Sequence, residues 1–305
     1  MIVIPLLSVA VALATPLILA ALGETFSQKS GVINVGLEGY MLMGSMGGYI
    51  GAKFTGNPWM GVLLGIIFGL IASLIMAYLC ITLGSDQIVC GIGINVFGWG
   101  FSSFLVRIMR LSGGVEGFKP IDIPILSHLP FLGPILFQQT ILTYLTVLLA
   151  IILAIILFRM SFGLRVRAVG EEPLAADTLG INVKLIRYLC VLLCGAMAGL
   201  GGSFYTLAWL KEFFEGITAG RGFIALATVI VSGWNPYFVI GMCFFFAAVD
   251  GLALRIDILQ YYGLVPQILP YPFFRMIPYI LSIIVLAVRK RLAVPKALGV
   301  PYKKG

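Results

Sequence analysis

The chain has 305 residues, of which 60% are hydrophobic and only 10% are charged, and its formal net charge is +8. A soluble domain carries about 25% charged residues, so this composition excludes a soluble globular domain and indicates a polytopic membrane protein. In such a protein the excess of Lys and Arg indicates cytoplasmic loops near anionic lipid, and not a nucleic-acid partner.

About nine apolar segments follow one another along the chain, where a helical crossing of the hydrocarbon layer takes about twenty residues. The first has no basic residue ahead of it and is long enough to span, so we interpret it as a membrane helix and not as a cleavable signal peptide. Two segments, beginning at Leu37 and Gly220, are short and rich in glycine, which predicts broken or re-entrant helices. The segments are Ile2–Leu22, Leu37–Ala52, Met60–Leu83, Gly91–Ile108, Gln139–Phe158, Leu185–Ala208, Gly220–Val231, Tyr237–Leu254 and Phe273–Val288.

The sequence therefore predicts an all-α bundle of membrane helices over residues 1–288, followed by a basic tail over residues 289–305. Small residues recur four apart, which allows helix backbones to approach closely and predicts a tightly packed bundle. Examples are Gly44 with Gly48, Gly61 with Gly65 and Gly69, and Gly195 with Gly199.

One long polar island, Gly163 to Val183, lies between the fifth and sixth segments. Pro173 suits the first position of a helix, since its missing N–H would have no partner there. Glu171 and Glu172 lie at the helix start, where the dipole favours negative charge, and Gly180 ends the run. The pattern predicts about two turns of helix outside the membrane. A helix this short is marginal alone, so we expect it to dock on its own bundle or on another protein.

The distribution of Lys and Arg predicts the orientation of the chain. Six of them lie in the tail, which places the C-terminus in the cytoplasm, and the central island shares that side because its flanks are basic. Counting spans backwards places the N-terminus, the Pro-rich loop Arg110–Gln138 and the segment Lys211–Glu215 outside. The six are Arg289, Lys290, Arg291, Lys296, Lys303 and Lys304.

The sequence lacks the common catalytic motifs. It contains no GxxxxGK[ST] phosphate loop, no HExxH and no GxSxG, so we expect no catalytic residue and no ATP hydrolysis by this chain. Cys190 and Cys194 have helical spacing but no His, Asp or Glu beside them in the sequence to complete a metal site. We interpret the cysteines as core residues and expect no bound metal.

Six residues are candidates for the path of a polar solute, because polar and ionisable groups at membrane depth are functional candidates by default. Each also has a structural alternative. Asp250 would bond to a neighbouring helix, Arg221 would anchor the membrane interface, and Asn95 would bond to a helix instead of a substrate. The six are Asn34, Glu38, Asn95, Arg221, Phe223 and Asp250.

Four stretches carry a resemblance to a known family. They are SGVINVGLEGYMLMGS at Ser30–Ser45, RAVGEEPLAADTLGINV at Arg167–Val183, CGAMAGLGG at Cys194–Gly202 and TAGRGFIALATVIVSGWNP at Thr218–Pro236. In this order they resemble permease subunits of ATP-binding-cassette (ABC) importers, in the subgroup for nucleosides and simple sugars. The wider family includes ribose and branched-chain amino acid permeases.

The resemblance implies that the short helix of the central island, within a coupling loop over residues 159–184, docks into a cytoplasmic ABC ATPase. The coupling residues would be Gly170, Glu171, Pro173, Leu174, Ala175, Ala176, Leu179 and Gly180. In this interpretation Gly170 and Gly180 reverse the chain at the two helix ends, and Leu174, Ala175 and Leu179 form the contact.

The resemblance also implies inverted repeats, a second homologous permease, an extracytoplasmic substrate-binding lipoprotein and a location in a prokaryotic plasma membrane. ATP and Mg²⁺ would be used by the ATPase, with no cofactor bound by this chain. A nucleoside is the expected solute, and a simple sugar such as ribose or galactose is the alternative. An ion-coupled secondary transporter, with Glu38 and Asp250 as coupling carboxylates, and a purely structural subunit are further alternatives.

Overall fold

A computed structural model describes residues 3–110, 113–124, 126–255, 276–288 and 294–302. The chain is mostly helical, with helices at all nine predicted apolar segments. The helices are α1 (Val3–Lys29), α2 (Leu37–Thr55), α3 (Pro58–Ala77), α4 (Gln87–Ile108), α5 (Leu132–Leu136), α6 (Ile141–Arg159), α7 (Ser161–Glu171), α8 (Pro173–Thr178), α9 (Val183–Phe204), α10 (Arg221–Val231), α11 (Pro236–Leu254) and α12 (Ile277–Val288).

Six helical segments in the described part of the chain are long and apolar enough to cross a membrane: Ile4–Lys29, Pro58–Thr82, Gln87–Ile108, Ile141–Arg159, Val183–Trp209 and Pro236–Leu254. Two of them include a π-helical turn, Tyr78–Thr82 after α3 and Tyr205–Trp209 after α9. The other three predicted segments correspond to α2, α10 and α12, with 19, 11 and 12 residues. Nine complete crossings and inverted repeats stay predictions.

The first helix is longer than its apolar stretch. We expected it to end at Leu22, but α1 continues to Lys29 and carries the buried polar residues Glu24, Thr25 and Gln28 into the bundle. Their burial is possible because α1 packs against α9, α10 and α11 along its length. The prediction was too short because an apolar window ends where polar residues begin, whether or not the helix ends there.

Glycines bring the central helices into backbone contact, as the small-residue spacing predicted. A Cβ on Gly44 of α2 would lie 2.3 Å from the carbonyl oxygen of Gly199 on α9. A Cβ on Gly69 of α3 would lie 2.3 Å from the carbonyl oxygen of Gly195, also on α9. No side chain fits at such distances, so α2, α3 and α9 form a rigid core to which the other helices attach.

The Pro-rich loop after α4 has structure of its own, which corrects the expectation of an entirely α-helical chain. Strand β1 (Pro120–Asp122) pairs antiparallel with β2 (Gln138–Thr140), and α5 lies between them. Pro120 begins its strand, a position that requires no ladder N–H. The loop also packs on the bundle, since Val115 N–H donates to the Lys211 carbonyl at 2.8 Å and Phe118 N–H to the Leu207 carbonyl at 2.7 Å.

The central polar island forms two helices, α7 and α8, where one was expected. Pro173 begins α8, as predicted, and Gly180 follows it with a φ of +80°, a conformation that glycine adopts without strain. Glu171 ends α7 and does not start α8. This position corrects its predicted place at the start of the short helix.

Candidate functional site

Buried polar contacts of Glu24 and Gln28 join the end of α1 to its surroundings in the bundle. Glu24 Oε1 accepts from Asn34 N–H at 3.0 Å and from Gln28 Nε2 at 2.8 Å, and Cys194 Sγ donates to Glu24 Oε2 at 3.3 Å. The Gln28 Oε1 atom in turn accepts from Trp234 Nε1 at 2.6 Å. These bonds join α1, its connection to α2, the middle of α9 and the turn before α11.

Asn95 fixes the start of α2 to the middle of α4. Its Oδ1 accepts from Gly39 N–H at 2.8 Å, and its Nδ2 donates to the Val35 carbonyl at 2.9 Å. Both bonds go to backbone groups near the N-terminus of α2. Of the two roles predicted for Asn95, the bond within the bundle is the one present in this structure.

Glu38 joins the first turns of α2 and α10. Its Oε1 accepts from the Thr218 hydroxyl and from Gly220 N–H at 2.8 Å, and its Oε2 accepts from Gly222 N–H at 2.6 Å. A carboxylate is favourable there because the N-terminus of α10 presents free N–H groups and a positive dipole end. No residue larger than glycine fits at position 222, because a Cβ there would lie 2.6 Å from the Glu38 Cα.

Arg221 and Asp250 form an ion pair beside this joint. Arg221 Nε donates to Asp250 Oδ2 at 2.8 Å, and the side chains are only 10% and 14% exposed. The guanidinium also lies 5.5 Å from the centre of the Tyr205 ring, an attractive arrangement of a cation and an aromatic face. Arg221 is therefore not a simple interfacial anchor, and Asp250 bonds to a neighbouring helix.

Five of the six predicted solute-path residues thus have polar contacts within the chain. Asn34 is fully buried, with its amide between Gly36 N–H and Cys194 Sγ. Phe223 differs, since its side chain is 43% exposed and lies in the first turn of α10. Glu38, Arg221 and Asp250 form the joint between α2, α10 and α11, whereas Asn34 and Asn95 hold the start of α2 to α9 and α4. A contact of any of the five with solute stays a prediction.

The glycine-rich elements Gly31–Gly39 and Gly216–Gly222 meet in the structure, although the predicted topology places the first near the inner side of the membrane and the second near the outer side. The ends of the two elements that lie away from Glu38 are well separated along α4. Ile33 N–H, in the first element, donates to Gln87 at the start of α4, whereas Glu215, just before the second element, pairs with Arg107 near the end of α4. Their near ends converge, because Glu38 contacts Gly220 and Gly222 directly. The Arg107–Glu215 pair also balances one of the cations on the predicted outer side.

Sequence reasoning missed Glu24, Gln28 and Arg187. Glu24 and Gln28 lie beyond the apolar window that defined the first segment, so they did not register as intramembrane groups. Arg187 was counted only as a basic flank of the polar island, yet it is 1% exposed. Trp234 is also buried, with its Nε1 donating to Gln28 Oε1. Continuing the predicted helix beyond its apolar window would have placed Glu24 and Gln28 in α1.

The predicted coupling residues divide into an exposed set and a buried set. Leu174 and Leu179 are 58% and 80% exposed, and Ala175 is also exposed, so the predicted contact face is free in the described chain. Ala176 is 2% exposed and faces the bundle. Gly170 lies inside α7, where a Cβ would be 2.0 Å from the Lys29 carbonyl oxygen. Its predicted role as a chain reversal is wrong, because it is a packing contact with the end of α1.

The last described residues reach the same end of the bundle as α7 and α8. Ala297 N–H donates to the Gly170 carbonyl at 2.9 Å, and Gly299 N–H donates to the Gly31 carbonyl at 3.1 Å. Of the tail cations used to predict orientation, Arg289, Lys290, Arg291, Lys303 and Lys304 lie outside the described residues. The tail and the central island therefore share one end of the molecule, and the assignment of that end to the cytoplasm stays a prediction.

A bundle of apolar helices, with the N-termini of α2 and α10 meeting at an internal polar joint and with an exposed helix at one end, defines a multi-pass membrane protein. The chain belongs to the branched-chain amino acid transport system / permease component family, which matches residues 6–286. It is 39% identical to the guanosine ABC transporter permease protein NupQ of Bacillus subtilis, across 96% of this chain and 94% of that protein.

Two further relatives match at nearly full length. The nucleoside ABC transporter permease protein NupC of Lactococcus lactis is 37% identical, across 95% of this chain and 94% of the relative. A Haloferax volcanii protein named as a glucose ABC transporter permease is 35% identical, across 98% and 97% of the two chains. The solved inward-facing structure of an ABC transporter matches with a TM-score of 0.50 at 15% identity, across 93% of this chain and 85% of that one. The last match supports the fold alone.

Proposed function

We propose that this chain is the membrane-spanning subunit of an ABC importer and forms half of a pathway for a nucleoside. The observation that carries the proposal is its similarity, over nearly the whole chain, to one permease named for guanosine and to another named for nucleosides. A simple sugar is the second candidate, because the relative named for glucose is almost as similar. Membership of an ABC permease family argues against the ion-coupled and purely structural alternatives.

The exposed face of α8 supports a docking role for this helix. Leu174, Ala175 and Leu179 project from a polar end of the molecule, where exposed apolar side chains are unfavourable unless a partner covers them. The partner is a cytoplasmic ABC ATPase, which binds ATP and Mg²⁺ and moves α8 when its two domains close. Gly180 lets the chain turn away after the helix, and Ala176 attaches the helix to its own bundle.

The polar joint provides a route by which the movement of α8 reaches the solute pathway. Glu38 links α2 to α10, and the Arg221–Asp250 pair links α10 to α11. A buried polar network whose members are all satisfied is rigid. The joint thus makes α2, α10 and α11 move together, and Phe223, exposed beside it, faces the solute.

The remaining partners follow from the same proposal. A second homologous permease completes the pathway, and an extracytoplasmic lipoprotein delivers and selects the solute. The complex lies in a prokaryotic plasma membrane with the C-terminus of this chain in the cytoplasm. No nucleic acid takes part.

Two measurements test the proposal. The tagged chain is first purified in mild detergent from native membranes, and co-purification of a phosphate-loop ATPase and a second permease is expected. The complex is then reconstituted in liposomes, where ATP is expected to drive accumulation of labelled guanosine and not of glucose. A chain that purifies alone and transports with an ion gradient in the absence of ATP would refute the importer. ATP-driven glucose uptake without guanosine uptake would select the sugar.

A further inference from the structure

The C-terminal segment, defined here as Val294–Tyr302, is tied to the bundle by its backbone. Ala297 N–H bonds to the Gly170 carbonyl on α7, and Gly299 N–H bonds to the Gly31 carbonyl at the end of α1. The Val300 carbonyl accepts from Arg187 Nη1 at 3.0 Å, while Arg187 Nε donates to the Ser30 carbonyl at 3.1 Å. These bonds fix the course of the segment but leave its side chains available.

This C-terminal segment runs beside α8, and the two enclose a pair of hollows. One, of about 420 Å³, lies between the start of α8 and the segment, with Pro173 and Leu174 on one side and Ala297 and Val300 on the other. A second, of about 370 Å³, lies at the end of α8 and includes Gly180 and Tyr302. Helix α8 and the C-terminal segment therefore form one continuous surface.

The surface combines exposed apolar side chains with a charged rim. Val300 is 55% exposed, comparable with Leu174 at 58% on the facing side of the larger hollow. The exposed side chains of Glu171, Glu172 and Lys296 lie around the same hollow. An apolar centre within a polar rim is the usual anatomy of a protein interface, whereas a lipid-facing surface of this bundle would be apolar throughout.

We propose that the C-terminal segment forms the second half of the ATPase-docking surface, so that the partner contacts Val300 together with Leu174. The inference rests on the proposed docking of α8. The ATPase covers both sides of the larger hollow, inserting an apolar group between Leu174 and Val300 and meeting the rim charges with polar groups. Movement of the ATPase is then applied to α8 and, through the bonds to Gly31 and Ser30, to the end of α1.

The test compares two valines of the same segment in the full chain. Val300→Asp places a charge in the proposed interface, while its backbone bond to Arg187 is unchanged. Val294→Asp is the matched control, since Val294 is 49% exposed and does not line either hollow. Leu174→Asp tests docking of α8 itself. Each tagged variant is expressed in the native host, and the ATPase recovered with it is measured per permease in mild detergent.

We expect Val300→Asp and Leu174→Asp each to reduce the recovered ATPase about tenfold or more, as truncations at the centre of interfaces do. Val294→Asp is expected to retain the wild-type amount, with equal quantities of all chains in the membrane. Wild-type recovery by Val300→Asp, with loss by Leu174→Asp, would overturn the inference and leave docking of α8 intact. Equal losses by the two valine variants would also overturn it, and a wild-type chain without ATPase would refute the proposed function itself.

Discussion

The joint made by Glu38 can be tested by removing its carboxylate. Glu38→Ala leaves three donors without this partner: the buried Thr218 hydroxyl and Gly222 N–H, and the half-buried Gly220 N–H. Hydrogen bonds between membrane helices contribute about 0.6 kcal/mol on average and at most about 1.7 kcal/mol. We therefore expect the free energy of unfolding to fall by about 2–5 kcal/mol, since three such bonds are lost together.

The assay is thermal unfolding of the purified chain in detergent, followed by size-exclusion chromatography after heating. A loss of this size corresponds to a melting temperature lower by about 3–8 °C in a chain of this length. Glu38→Gln should be intermediate, because one amide oxygen still accepts while the NH₂ group faces a donor. Glu215→Ala is the control, since its ion pair with Arg107 is exposed and worth about 0–1 kcal/mol.

The same measurements separate a structural role of Glu38 from a role in contact with solute. If the melting temperature of Glu38→Ala equals that of Glu215→Ala, near the wild-type value, while ATP-driven uptake is lost, then Glu38 does not stabilise the joint. The predicted contact of Glu38 with solute is then favoured. If uptake and melting temperature fall together, then the carboxylate acts by holding α2 and α10.

Two further predictions each compare two small residues in different surroundings. Ala175→Asp should leave the chain folded in the membrane but abolish recovery of the ATPase. Ala176→Asp should reduce the folded yield, because Ala176 faces the bundle. Similar folded yields of the two variants would contradict the assignment of faces. Gly44→Ala should lower the melting temperature, because its Cβ would lie 2.3 Å from the Gly199 carbonyl oxygen. Gly93→Ala should not lower it, because no atom lies within 4 Å of a Cβ placed there. Equal melting temperatures of the two variants would contradict the close helix contact.

The sequence predicted those features that depend on local pattern. The start of α8 at Pro173 follows from the geometry of proline, and its end before Gly180 from the left-handed conformation that glycine adopts. Close packing of α2 with α9 follows from glycines four residues apart. In each case the signal lies within a few neighbouring positions, so a single sequence was sufficient.

The sequence could not predict which distant groups meet. Glu38 and Gly222 are 184 residues apart, and nothing at either position specifies the other. Glu24 was overlooked because the apolar window ended before it, although the helix did not. The position of Gly170 was misjudged because a glycine near a helix boundary looks the same whether it turns the chain or touches a neighbouring helix.

Arg187 has a consequence for the synthesis of the protein. Its guanidinium is buried, and one of its bonds goes to the carbonyl of Val300, which lies 113 residues later in the chain. Until then the carbonyl of Val300 is absent and the charge of Arg187 lacks that partner. This end of the bundle is therefore completed only once Val300 has been made, so a chain that stops before Val300 leaves it open. Quality-control proteases would meet such truncated chains at that opening.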